Sequence, residues 1–245
     1  MPVGNTRARS GVQTLSNQVS AKMRRLNTVN MREKIKAVKF FNETVEAVNP
    51  NIINVAVDGR YNSITIGQTK KPGQAASQDI GIACETNTKH KYIPSAVVQH
   101  KLCWKGAWLR GKGDTVNCPG GHEGCTASLP VHAPLSEYDM GKSIGTELAL
   151  QNVLIKYATT DGDGRSAAGI EDSLKILHPM WSVERLADPS HLAATQLRHC
   201  YNAKFSDEMF PGKTRLDKGK VKKILSQDVK ARCSLIMTTL VTLRR

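Results

Sequence analysis

Apolar positions recur at helical spacing towards both ends of the chain and alternate with polar ones in between. In the first 48 residues, Ile35, Val38 and Phe41 or Val45 keep near one face at a period of 3.6, which predicts a helix. From about residue 52 the period changes to two. Strands are predicted at 52–58, ending on Asp58-Gly59, at 61–67, and at 78–85. Lys70-Lys71-Pro72-Gly73-Gln74 reads as a loop between the last two. A further strand over 92–98 is weakened by Pro94. Consecutive strands at such short spacing favour an antiparallel meander.

Residues 100–135 are rich in Cys, His and Gly and show little periodicity. Beyond them Met140, Ile144, Leu148 and Val153 mark a helix over 139–153. A strand over 154–160 ends on Asp161-Gly162, and a helix follows at 166–177. From Asp188 onward the pattern is helical. Leu192, Thr195, Gln196 and His199 share one helix. Another begins near Lys218 and runs to about 242, with Phe210-Pro211-Gly212-Lys213 as the break. The fold class is α/β (α+β). The order β-β-β, insert, α, β, α is similar to a ribonuclease H-like plan, a mixed sheet flanked by helices, with a Cys/His-rich insert at about 100–135. Three regions follow: a basic helical arm over 1–48, a core over 49–187, and a basic helical region over 188–245. No internal repeat is present.

Charge adds a partner. The formal net charge is +14 over 245 residues. That attracts polyanions, most naturally nucleic acid, through phosphate contacts and counterion release, and charge alone does not distinguish DNA from RNA. No apolar run is long enough to cross a bilayer, and the N-terminus lacks the apolar segment of a signal peptide. The chain is expected in the nucleus or cytoplasm and not secreted, with no membrane partner. Assembly as a homo-oligomer is compatible with all of this.

Six cysteines in such a chain point to metal ligation or burial rather than a disulfide framework. Cys103, Cys118, His122 and Cys125 follow the spacing Cys-x14-Cys-x3-His-x2-Cys, and the glycines around His122 let the chain wrap closely. Three thiolates and an imidazole can close a tetrahedral zinc site, with His100 as a fifth candidate; the alternative is a loop with buried thiols. Asp58 and Asp161 each follow a strand-like run. Brought side by side they can hold divalent metal between hard oxygen ligands, although Asp-Gly also simply turns a chain. Trp104, Trp108 and Trp181 either stack on bases or anchor a core. No Gly-rich nucleotide loop and no nucleophile–base motif is found.

Four strings in order carry a family resemblance. They are Val55-Ala56-Val57-Asp58-Gly59-Arg60-Tyr61-Asn62, then His122-Glu123-Gly124-Cys125-Thr126-Ala127, then Thr159-Thr160-Asp161-Gly162-Asp163-Gly164-Arg165, then Asp188-Pro189-Ser190-His191-Leu192 with the basic helix after it. From about residue 48 onward the chain resembles the Mutator-like transposase domain of animal mobile elements. The resemblance implies a ribonuclease H-like core with an Asp, Asp, Glu triad, in which Asp58 is the first acid and Asp161, or alternatively Asp163, the second. It implies Mg²⁺ or Mn²⁺ at these acids, activating water or a DNA 3′-hydroxyl for in-line attack on phosphorus. Arg60, Arg165, Lys220, Lys222 and Lys223 are the candidate DNA contacts. The third acid is not identified: Glu171, Glu184 and Glu208 are available, none in a persuasive context. The chain is therefore expected to be part of a longer element or an inactive copy. The rival reading is a non-catalytic zinc and nucleic-acid binding protein derived from such an element. Asp188 or Ser190 reads as a helix cap and His191 as a surface residue, in preference to lining a cleft.

Overall fold

The computed structural model describes residues 6–62, 77–161, 164–204, 209 and 214–243. The elements run α1 (Thr6–Thr44), β1 (Val55–Asn62), β2 (Gln78–Glu85), β3 (Ser95–His100), α2 (Trp104–Gly111), α3 (Glu137–Ala149), β4 (Tyr157–Thr160), α4 (Arg165–Lys175), β5 (Glu184–Ala187), α5 (Pro189–Asn202) and α6 (Arg215–Leu243). The result is a mixed α/β fold. A five-stranded sheet in the order β3-β2-β1-β4-β5 is flanked by helices. β1, β2 and β3 pair antiparallel in sequence order, and β4 then joins β1 in parallel with β5 parallel beyond it.

Alternation sets the two faces of the sheet. Val55, Val57, Ala83 and Ala158 point inward, onto Met140, Ile144 and Leu148 of α3 and Ile170 and Leu174 of α4. The second half of α1 joins this core through Ile35 and Val38. Asn42 of α1 donates to the carbonyls of Pro50 and Ile52 just ahead of β1. Lys39 donates to the carbonyls of Gln151 and Asn152 beyond the end of α3, where cations satisfy free carbonyls. Partial burial there holds the Lys39 pKa below its ordinary value. The opposite face, with Ala56, Asp58, Arg60, Ile80, Ile82 and Cys84, is not covered in this way and forms part of a cleft.

Three expectations are corrected. Asp58-Gly59 does not end a strand: β1 continues unbroken to Asn62, with Asp58 opposite Ile82 and Gly59 opposite Gly81. The glycine pair serves packing instead of turning. A Cβ on Gly59 would lie 2.9 Å from the Met140 methyl, and one on Gly81 would collide with the Met140 side chain. Both stretches of backbone are therefore bare where α3 lays its methionine. Most of the strand expected at 61–67, the loop at 70–74 and the break at 210–213 lie outside the described residues. Second, the segment at 100–135 contains a helix, α2. It escapes periodicity because its buried position is Gly106 while its indoles face outward. Third, β5 was not foreseen. All four of its residues are exposed, so it carries no alternation to read.

The remaining elements fall close to expectation. β3 begins directly after Pro94, which has no N–H to give a ladder. α3 starts at the cap Ser136, whose hydroxyl accepts from the Asp139 N–H. α3 and α4 cross closely because Gly141 sits against the Ser166 backbone and Gly169 against that of Tyr138.

Candidate active site and metal centre

β1 and β4 run parallel with Val55 level with Ala158 and Ala56 level with Thr159. Two residues further along each chain, Asp58 comes level with Asp161. β5 lies parallel to β4 with Ala187 level with Thr160, so the next residue, Asp188, comes level with Asp161 in turn. The Asp188 N–H donates to the Thr160 carbonyl, fixing that junction at 2.7 Å. Asp58, Asp161 and Asp188 all line one cleft of ≈ 480 Å³, together with Arg60, Thr159 and His191. Such crevices at the carboxyl ends of parallel strands are where open α/β sheets place ligands.

Asp58 and Asp161 are exposed, so their carboxylates carry no burial cost. Asp188 does double duty. It caps α5 by accepting from the Ser190 N–H at 2.6 Å, and it lines the cleft. His191, one turn into α5, is exposed but lines the same cleft, so the surface reading of this residue captures only half of its position. Sequence reasoning missed Asp188 as a cleft residue because the strand delivering it, β5, carried no signal.

Other candidates are elsewhere. Asp163 and Glu208 lie outside the described residues. Arg165 opens α4, exposed and off the cleft lining. Glu171 accepts from Lys175 and, at 3.1 Å, from the Val183 N–H. The Lys175 hydrogen bond first, and the Val183 N–H after it, hold its carboxyl below the usual range. Glu184 is exposed on β5. No glutamate among the described residues lines the cleft. Lys220, Lys222 and Lys223 follow one another on α6, which packs against α5. Lys222 turns inward, donating to the Ala203 carbonyl at 2.7 Å. Lys223 borders a second hollow with Leu197 and Tyr201.

The cysteine–histidine set converges. The ligand atoms of Cys103, Cys118, His122 and Cys125 all lie within 4.8 Å of one another. His122 Nε2 stands 3.2 Å from Cys103 Sγ and 3.3 Å from Cys118 Sγ. Bonds of about 2.3 Å to sulfur and about 2.0–2.1 Å to nitrogen in a tetrahedron imply edges of about 3.5–3.8 Å. The two His122–sulfur separations fall slightly short of a zinc edge while the 4.8 Å bound on the whole set exceeds it, and small shifts of both signs bring the four ligands onto one ion. His122 Nδ1 lies 3.0 Å from the Glu123 carbonyl oxygen, which holds its proton there and leaves Nε2 to ligate. Burial pushes the Cys103 thiol up. Hydrogen bonds from the backbone of Thr126 and Gly106 and from the Thr126 and Cys118 side chains together outweigh burial and bring it down to about 6. Burial, then the neighbouring Cys125 and Cys103, raise Cys118. His100 is not part of the set. It ends β3, where its carbonyl accepts from the N–H groups of Ser128 and Leu129, tying the base of the insert to the sheet.

Gly106 is a residue of this centre that ligand spacing does not reveal. Its N–H reaches Cys103 Sγ at 3.4 Å, and a Cβ there would lie 2.7 Å from Cys118 Sγ. Among the described residues no helix is long and apolar enough to cross a membrane.

No curated protein matches the chain. A family model does: residues 3–245 match the one described as Mutator-like transposase. With almost the whole length matched, this chain belongs to the Mutator-like transposase family.

Proposed function

We propose that the chain is the ribonuclease H-like catalytic core of a DNA transposase, cutting and joining phosphodiester bonds at the cleft bordered by Asp58 and Asp161. The observation that carries the reading is the level row of Asp58, Asp161 and Asp188 across three parallel strands. The strand order, with β2 alone antiparallel to the rest, also supports the ribonuclease H-like assignment. Asp58 and Asp161 are the residues that would hold Mg²⁺ or Mn²⁺, and such an ion stabilises charge on attacking and leaving oxygens. Arg60 presents a cation on the same face for a phosphate, and His191 offers an imidazole for proton exchange at the rim. The Cys₃His centre is read as structural zinc. The arm at 1–48 and the region at 188–245 are read as basic flanks of the core at 49–187, in a protein acting on DNA in the nucleus.

A second reading is favoured by one observation, the lack of a cleft glutamate among the described residues. It is a zinc and nucleic-acid binding protein without catalysis. Two measurements on one preparation separate the readings: Mn²⁺ binding, and nicking of supercoiled DNA with Mg²⁺ or Mn²⁺. Nicking that disappears in Asp58→Asn and Asp161→Asn supports the enzyme. Duplex binding with neither Mn²⁺ affinity nor nicking supports the binder.

A further inference from the structure

Trp104 is 87 % exposed and Trp108 is 51 % exposed. They stand four residues apart on the eight-residue helix α2, so both indoles emerge on one side. Neither anchors the insert, whose small core is Cys103, Cys118 and Ala127 with Val116 and Cys125 against it. Trp181 is the contrast. It packs on the main core and donates from Nε1 to the Ile155 carbonyl at 2.8 Å.

The surroundings are cationic. Residues 101–112 hold Lys101, Lys105, Arg110 and Lys112 and no acid. The Lys112 ammonium sits 3.9 Å from the Trp108 ring centroid. The helix is also held from beneath. Cys103 is its N-cap, accepting from the Gly106 N–H, and Gly106 lies against Cys118 and His122. The indoles are thus carried on the back of the metal-ligand cluster.

We propose that the Trp104–Trp108 face of α2 is a stacking platform for unpaired bases of single-stranded DNA, with Lys112, and Lys105 once it leaves the Glu123 carbonyl it donates to at 2.9 Å, meeting the phosphates. For the class of partner this rests on the DNA reading above. Paired bases in a duplex are already stacked, so exposed rings gain most from bases that are free. Stacking on indole is tolerant of sequence, and flanking cations track the backbone. The charge argues against a protein partner with a neutral or basic surface.

The test uses the full chain with zinc, oligo-dT of about 20 nucleotides, and a duplex of equal length. Adding oligo-dT should quench tryptophan emission. Trp104→Ala with Trp108→Ala should weaken oligo-dT binding by about tenfold or more, with duplex binding changed less than about twofold. Unchanged zinc content and melting in the variant show that the loss is not unfolding. Wild-type affinity for oligo-dT in the double variant would overturn the platform while leaving the DNA reading intact. A variant that loses self-association but keeps oligo-dT affinity would assign the face to a second copy and also overturn it. Failure of wild type to bind either DNA would remove the DNA reading itself.

Discussion

Asp58 and Asp161 stand level across the parallel β1–β4 pair, one in mid-strand and the other one residue beyond its strand. They arrive there by different routes. β1 carries Asp58 on the open face by alternation, between inward-facing Val57 and half-buried Gly59, while β4 simply ends. Two carboxylates lining one cleft offer hard oxygen ligands to a shared divalent cation.

Mn²⁺ titration should therefore find a cleft site that depends on both residues. Asp58→Asn and Asp161→Asn should each weaken it by more than the about 10–100-fold typical of an outer partner of a metal. Both variants should melt as wild type does, since neither carboxylate is buried. Wild-type Mn²⁺ affinity in either variant would remove it from the site.

Purified protein should contain about one zinc per chain, lost in Cys118→Ser and Cys125→Ser. Gly106→Ala should lower zinc affinity by about 10–100-fold without touching a ligand, because its methyl would press on Cys118 Sγ. Cobalt substitution gives the readout: thiolate charge-transfer bands that weaken or shift. Equal zinc in all four proteins would exclude this centre.

How much of this was readable in advance depended on whether burial left a period. α3 buries one face and was legible from Met140, Ile144 and Leu148, while β2 was read from Ile80 and Ile82, which line its cleft face opposite the buried Asp79, Ala83 and Glu85. β5 buries nothing, and α2 buries a glycine, so neither left a trace. The ligands Cys103, Cys118, His122 and Cys125 were legible from chemistry rather than from structure, since few side chains share their affinity for zinc. Gly59 misled because Asp-Gly is a turn signal, and the reason for this glycine, Met140, lies some eighty residues away. The level placement of Asp188 could not be inferred without β5.

Gly81→Ala should destabilise the fold by about 1–3 kcal/mol through overpacking on Met140. Met140→Ala alone should also destabilise, by about 2–5 kcal/mol, through a cavity. The pair combined should cost clearly less than the two added together, as expected for residues in contact. Urea unfolding of the four proteins measures this, and strict additivity would show that the contact does not limit packing.

Asp79 supplies a pH test. Its side chain is fully buried, and Oδ2 has no hydrogen-bond partner among the described residues. Burial raises its pKa, only partly offset by the Gln99 N–H. A raised folded value favours the protonated form. That contribution is complete below the unfolded value of about 3.9 and is lost as pH rises through the folded value. Asp79→Asn cannot ionise, so its melting temperature relative to wild type should climb between about pH 4 and pH 8. A difference that stays constant across this range would contradict the argument.

DNA affinity should fall by about 10³–10⁵ between 50 and 200 mM salt if about 6–10 phosphates are neutralised. Lys220→Ala and Lys223→Ala should each reduce the slope by about one, and Lys222→Ala by less, because that ammonium is held by the Ala203 carbonyl. Filter binding across a salt series reads all three, and identical slopes would take α6 out of the interface.

The unbroken course of β1 makes the position of Asp58 a matter of parity. Odd-numbered residues from Val55 to Val57 belong to the core and even-numbered ones from Ala56 to Arg60 to the cleft. Losing a single residue ahead of Asp58 while β1 keeps its pairing would turn the carboxylate into the core and a valine into the cleft, whereas losing two would restore the sidedness. In a decaying mobile element, frame-preserving deletions in this strand would thus divide into a damaging odd class and a milder even class.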